Sequence, residues 1–307
     1  MSTVPDLSSE IAGIELRNPV VLASGTAGYG EEFDGLLDLS KVGAISVKGT
    51  SAKAIEGNLT PRLFPTSSGM LNSIGLQNVG VDAFIRDKMP YLRSSDCPVI
   101  VNVFGFTVDE YVEVVSKLND CDGIAAYELN ISCPNTHAGG MVFGTNPGAT
   151  KELTAKIKEV SLRPLIVKLS PNVTDICEIA IAAEGAGADG LTIANTYLAM
   201  AIDPDTLRPR IKTITGGLSG SAIRPITLRM VYQASKVVKI PIFGLGGVNS
   251  GEAAAEYLIA GASAIQIGTG NFEDPKASIR IIDELRKYMS RKHISSVTDL
   301  VGSLKPL

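Results

Sequence analysis

Between Glu128 and Pro147 the chain reads ELNISCPNTHAGGMVFGTNP. Asn130, Ser132, Cys133 and Asn135 fall within six positions at the end of an apolar run, and Gly139, Gly140 and Gly144 follow them. A thiol has an ordinary pKa of about 8.5, and nearby cations or loop N–H groups favour its thiolate, which can take a proton from a substrate. Asparagine amides both donate and accept hydrogen bonds, so they can read a polar ring edge in one orientation. A glycine-rich loop after such groups suits a site that closes over a small molecule. The competing reading makes Cys133 an apolar filler of a packed interior. Asn146-Pro147 reads as a helix N-cap with proline at the first helical position.

Similar polar residues recur after other short apolar runs. They are Ser24, then Lys48 and Gly49, Asn102, Asn130, Lys168, Asn195 and Thr196, Gly246 and Gly247, and Gly268 and Thr269. Any single lysine here could be a snorkelling surface residue. Lysines and asparagines at successive run ends point instead to one shared site. Buried lysines need acceptors, and with no acid seen beside them an anionic ligand is the expected partner. Gly216 to Gly220, Gly244 to Gly247 and Gly268 to Gly270 let backbone N–H groups approach an anion, which suggests a phosphate grip. Read singly, each is an ordinary tight turn.

The elements that must position these groups alternate along the chain. Apolar runs at 19–23, 44–47, 98–103, 124–131, 164–169, 190–194, 241–245 and 264–267 have the length of strands buried on both faces. Amphipathic helical patterns lie at 108–118, 150–160, 174–183, 223–237 and 252–259. Eight such units predict an α/β fold, a (β/α)8 TIM barrel, with the strand-end residues gathered at its C-terminal mouth. A doubly wound open sheet is the alternative, and the absence of GxGxxG after the first strand counts against it. Residues 50–78 and 197–219, rich in turn formers, are expected to be insertions on the C-terminal face. No linker divides the chain, so residues 1–307 are expected to form a single barrel domain.

Composition narrows the function. The chain has 307 residues, 45% of them hydrophobic, 31 glycines and a net charge of −4. That balance argues against a nucleic-acid surface. The first residues, MSTVPDLSSE, lack a secretory pattern, and no long uncharged apolar run suggests a membrane span. Cys97, Cys121, Cys133 and Cys177 lie far apart, with no C-x-x-C pair for a metal or cluster. A cytoplasmic protein with reduced thiols and no metal is expected.

The motifs NISCPN, LNSIGLQN (71–78), VKLSPN (167–172), TGGLSG (215–220) and GLGGV (244–248) together resemble the class 1 dihydroorotate dehydrogenases, over nearly the whole chain. The thiol within NISCPN marks class 1, because the membrane-associated class has a serine there. The loop HAGGMVFGTNP is most like the catalytic subunit of subclass 1B. Where the family often has aspartate before Pro147, this chain has Asn146. The resemblance implies bound FMN and oxidation of (S)-dihydroorotate to orotate in pyrimidine biosynthesis. It implies FMN contacts at Ser24, Lys48, Gly49, Asn102, Asn130, Lys168, Ile193, Gly220, Gly246, Gly247, Gly268 and Thr269. Lys48, Asn72, Ser73, Ile74, Gly75, Leu76, Asn130, Asn195 and Thr196 would hold the substrate, and Cys133 would be the general base. It also implies a partner subunit with FAD and a [2Fe-2S] cluster that passes electrons to NAD+, in a heterotetramer around a catalytic homodimer. The alternatives are a stand-alone enzyme that reduces fumarate, and a non-redox barrel isomerase or lyase that binds a substrate phosphate.

Overall fold

The computed structural model describes residues 4–132 and 143–307. Eight parallel strands close into a barrel in chain order: Val20–Leu22, Ala44–Thr50, Val99–Val103, Ile124–Asn130, Leu165–Lys168, Gly190–Ile193, Ile242–Leu245 and Ala264–Ile267. Every apolar run expected to be a strand contributes one. The five helical patterns become Val108–Asn119, Pro147–Val160, Ile176–Gly185, Arg224–Ala234 and Gly251–Ala260. A sixth long helix, Ala277–Lys292, packs on Gly251–Ala260. The helix after the second strand is irregular, with Met89–Ser94 preceded by a π-helical turn at Phe84–Lys88. Among the described residues no helix is long and apolar enough to cross a membrane.

Alternation along the strands sorts the barrel interior into layers. At the N-terminal end the hairpin Ser9–Ile11 with Ile14–Leu16 supplies Ile11, Ile14 and Leu16. These pack against Val21, Ala44, Ile100, Ala126, Ile166, Phe243 and Ala264 as an apolar floor. Two residues further along the strands the interior turns polar, with Ser46, Asn102, Glu128, Lys168, Thr192 and Gln266 all buried. The opposite strand faces carry Val47, Val101, Leu129 and Val167 into the larger cluster shared with the helices.

The two insertions do not stay separate. Leu63–Thr66, Gly69–Asn72, Thr215–Ser219 and Tyr197–Met200 form one four-stranded antiparallel sheet, with Gly69–Asn72 pairing to Thr215–Ser219 across the two insertions. This sheet brings residues 72–76 to the same end of the barrel as Thr196. Its expected strand signal is weak because glycines occupy the central pairing positions.

Candidate functional site

The middle layer centres on Glu128. Its side chain is fully buried and accepts from five neighbours on five other strands. Ser46 Oγ (3.1 Å), Asn102 Nδ2 (2.6 Å) and Lys168 Nζ (3.4 Å) meet Oε1; Thr192 Oγ1 (2.8 Å) and Gln266 Nε2 (2.8 Å) meet Oε2. Burial pushes the carboxyl pKa upward, but Lys168 and the hydrogen bonds from Gln266, Asn102 and Thr192 outweigh it and hold the group below its ordinary value. Lys168 was expected to lack an acidic neighbour, and this is corrected: its ammonium pairs with Glu128 and also donates to Ser24 Oγ at 3.1 Å. Glu128 stands two residues before Asn130 in the sequence and faces the same side of the strand. That spacing was the available signal. It was missed because the partners of Glu128 lie 26 to 138 residues away.

Above this layer the asparagines form a chain. Asn130 Nδ2 donates to Asn102 Oδ1 at 3.4 Å, and Asn130 Oδ1 accepts from Ser132 Oγ at 2.6 Å. Asn195 Nδ2 donates to Ser132 Oγ, and Asn195 Oδ1 accepts from the Thr196 N–H at 2.8 Å. Backbone N–H groups can only donate, so those of Ser132 and Thr196 fix which end of each amide is the oxygen. Asn172 steadies the same loop, donating to the Thr196 carbonyl and accepting from the Leu198 N–H. The peptide bond between Ile193 and Ala194 is cis.

Lys48 and Gly49 sit at a register shift between Val47 and Thr50, and the Lys48 N–H bonds to the Gly28 carbonyl at 2.7 Å. Such a bulge re-aims side chains at a strand's end. Lys48 forms no ion pair among the described residues. Burial holds its pKa below the ordinary lysine value, Glu32 opposes that shift and Arg62 adds to it. A side chain at Gly49 would press on Asn102 Oδ1. Asn72 Nδ2 donates to the Gly217 carbonyl at 3.1 Å, which ties the 72–76 segment to the Thr196 loop. Gly75 and Leu76 both take left-handed backbone, uncommon for a leucine.

The glycine clusters are corrected in part. Gly216 and Gly217 belong to the mouth sheet and pair with Ala199, Leu198 and Asn72. Gly220 does reach the loops after the seventh and eighth strands. There Gly220, Ser221, Gly247, Val248, Asn249, Gly268, Thr269, Gly270 and Glu273 line one small polar pocket. Gly220 and Gly247 have positive φ, and a Cβ on either would strike the facing backbone, so only glycine keeps this approach open. Gly246 sits beside it with its carbonyl bonded by Tyr257 Oη at 2.6 Å. Cys133, Asn135, Gly139 and Gly140 lie outside the described residues. Asn146 caps Pro147–Val160 as expected, accepting from the Ala149 N–H at 3.0 Å. No group of His, Cys, Asp and Glu among the described residues is arranged to hold a metal.

Residues 6–289 match the family model described as dihydroorotate dehydrogenase. The chain belongs to the dihydroorotate dehydrogenase family. A Geobacter metallireducens relative named dihydroorotate dehydrogenase B (NAD(+)), catalytic subunit, is 54% identical over 98% of this chain and 99% of its own length. The Geobacter sulfurreducens protein of the same name is 52% identical with the same coverage. These similarities bear out the resemblance to the class 1B catalytic subunit. A Solibacter usitatus relative, provisionally named dihydroorotate dehydrogenase A (fumarate), is 54% identical with the same coverage. A crystal structure of the Eimeria tenella dihydroorotate dehydrogenase with ferulenol superposes with a TM-score of 0.82, covering 97% of this chain and 88% of that one. At 24% identity that likeness speaks for the barrel fold alone.

Proposed function

We propose that this chain is the catalytic subunit of an NAD+-linked dihydroorotate dehydrogenase, with FMN in the barrel mouth and Cys133 as the base. The observation that carries the reading is the polar interior. One amide chain, Asn102–Asn130–Ser132–Asn195, lies beside the buried Lys168 at the end of a barrel whose floor is wholly apolar. Barrels place their reactive groups at this end.

The described residues offer the groups that an anionic ligand such as FMN would need. Lys48 is half-buried without a counter-ion among the described residues. Gln266 Oε1 and Ser73 Oγ are buried with no hydrogen-bond partner there. The glycine-walled pocket of Gly220, Gly247, Gly268 and Thr269 offers backbone to a phosphate. Ser24, Lys48, Gly49, Asn102, Asn130, Lys168, Ile193 and Gly246 would hold the rest of the cofactor. When bound, FMN supplies the acceptor for the hydride that leaves C6 of dihydroorotate.

The chain's own residues carry the remaining work. Cys133 Sγ takes the C5 proton as thiolate. Asn130 and Asn195, with amide orientations fixed from the backbone, keep hydrogen-bonding capacity for the pyrimidine edge, together with Thr196. Lys48 and the 72–76 segment (Asn72, Ser73, Ile74, Gly75, Leu76) hold the carboxylate side. A partner subunit carrying FAD and a [2Fe-2S] cluster would supply the route by which the electrons reach NAD+. This partner, the heterotetramer and a cytoplasmic setting are parts of the proposal supported by the 1B-like sequence. The fumarate-type name of one 54% identical relative favours a second reading in which the chain works alone.

The test is direct. Purified protein should be yellow, release FMN on heating, and form orotate from dihydroorotate with an artificial dye as acceptor. A colourless protein that never takes up FMN, or one that releases FAD, contradicts the reading.

A further inference from the structure

Glu128 and Lys168 are the only buried charged side chains among the described residues. All five groups that meet the Glu128 oxygens are donors: two hydroxyls, two amide NH2 groups and an ammonium. The ammonium and the two amide NH2 groups can only donate and the hydroxyls can turn to do so, so the carboxylate, held beside Lys168, satisfies all five. The same carboxylate holds Asn102 at 2.6 Å and Lys168 at 3.4 Å, and Lys168 reaches on to Ser24. A buried ion pair is poor support for stability by itself, since apolar side chains of similar volume often do as well or better. The layer directly below is filled that way, by Ala44, Ile100, Ala126, Ile166 and Ala264. The polar layer is therefore better explained by what it holds in place than by folding.

We propose that Glu128 is a positioning residue that fixes Lys168 and Asn102 at the cofactor site and, by offsetting the charge of Lys168, sets how readily bound FMN is reduced. The inference rests on the FMN reading above. Two-electron reduction adds negative charge to the flavin ring. Lys168 favours that charge and Glu128 opposes it, while the pair together stays neutral. Removing the Glu128 charge without changing its shape leaves the ammonium unopposed, so the reduced cofactor gains.

The experiment compares the midpoint potential of bound FMN, titrated anaerobically against indicator dyes, in wild type, Glu128→Gln, Lys168→Met and the double variant. Glu128→Gln should raise the potential by on the order of tenfold in the equilibrium constant for reduction, about 30 mV for a two-electron couple. In the Lys168→Met background the same substitution should shift it far less, because a buried Glu128 without its cation takes up a proton and is already neutral. An unchanged midpoint in Glu128→Gln, or equal shifts in both backgrounds, overturns the proposal. A loss of thermal stability with no change of potential means that Glu128 only packs. If Glu128→Gln does not fold, infrared spectra of wild type with 13C-labelled glutamate decide the matter. The proposal requires no protonated glutamate carboxyl band at neutral pH, and such a band overturns it. Wild type that binds no FMN would instead sink the functional reading, so the two failures are distinct.

Discussion

At the scale of the residue, the account turns on groups whose chemistry their neighbours set. Cys133 is assigned the proton at C5. Cys133→Ala should keep its flavin but slow flavin reduction by dihydroorotate by roughly 10²–10⁴-fold, the usual size for loss of a general base. Reduction near the wild-type rate in stopped flow would move the base elsewhere. Glu128 gives a second prediction, in stability. Although burial pushes its pKa up, Lys168 and the hydrogen bonds outweigh that and hold it below the ordinary carboxylate value. As pH falls, the unfolded chain therefore takes up the proton first. The stability Glu128 contributes is present above the ordinary value of about 4.3 and is lost as pH drops through the lower folded value. Urea midpoints of wild type and Glu128→Gln should thus differ most near neutral pH and converge in acid. A gap that does not change with pH would mean that Glu128 is not ionised in the folded protein.

At the scale of the element, the eight strands were legible because each is a short run buried on both faces, and five of the stretches between them carry a helical pattern. The helix cap at Asn146-Pro147 was legible because its signal is local. The mouth sheet was not. Its strands pair residues as far apart as Asn72 and Gly217, and its glycines read as phosphate loops when taken without their partners. Glu128 was hidden for the same reason: local spacing shows a strand-end acid but not five converging donors. Gly217 yields a prediction here. A Cβ on it would collide with the Thr196 side chain. Gly217→Val should cost about 1–3 kcal/mol by overpacking and loosen the Thr196–Asn195 turn. Orotate, followed by its perturbation of the flavin spectrum, should bind more weakly while FMN is retained. Unaltered orotate affinity would show that this turn does not hold the substrate.

At the scale of the whole molecule, the barrel closes one end with an apolar hairpin and leaves the other to two insertions joined as one sheet. The proposed route for electrons leaves the chain for a partner subunit, a reading supported by the similarity to relatives named as catalytic subunits. The isolated chain should turn over NAD+ very poorly, and adding a subunit with FAD and a [2Fe-2S] cluster should restore turnover. Rapid NAD+ turnover by the chain alone would contradict that route, and rapid fumarate turnover alone would favour the second reading. The central claim, that these residues hold FMN where dihydroorotate can reduce it, comes before the question of the acceptor. Its most direct test is anaerobic mixing of the purified yellow protein with dihydroorotate while the flavin absorbance is recorded. The account predicts that the flavin band bleaches with orotate formed in equal amount; a band that persists in excess dihydroorotate would contradict it.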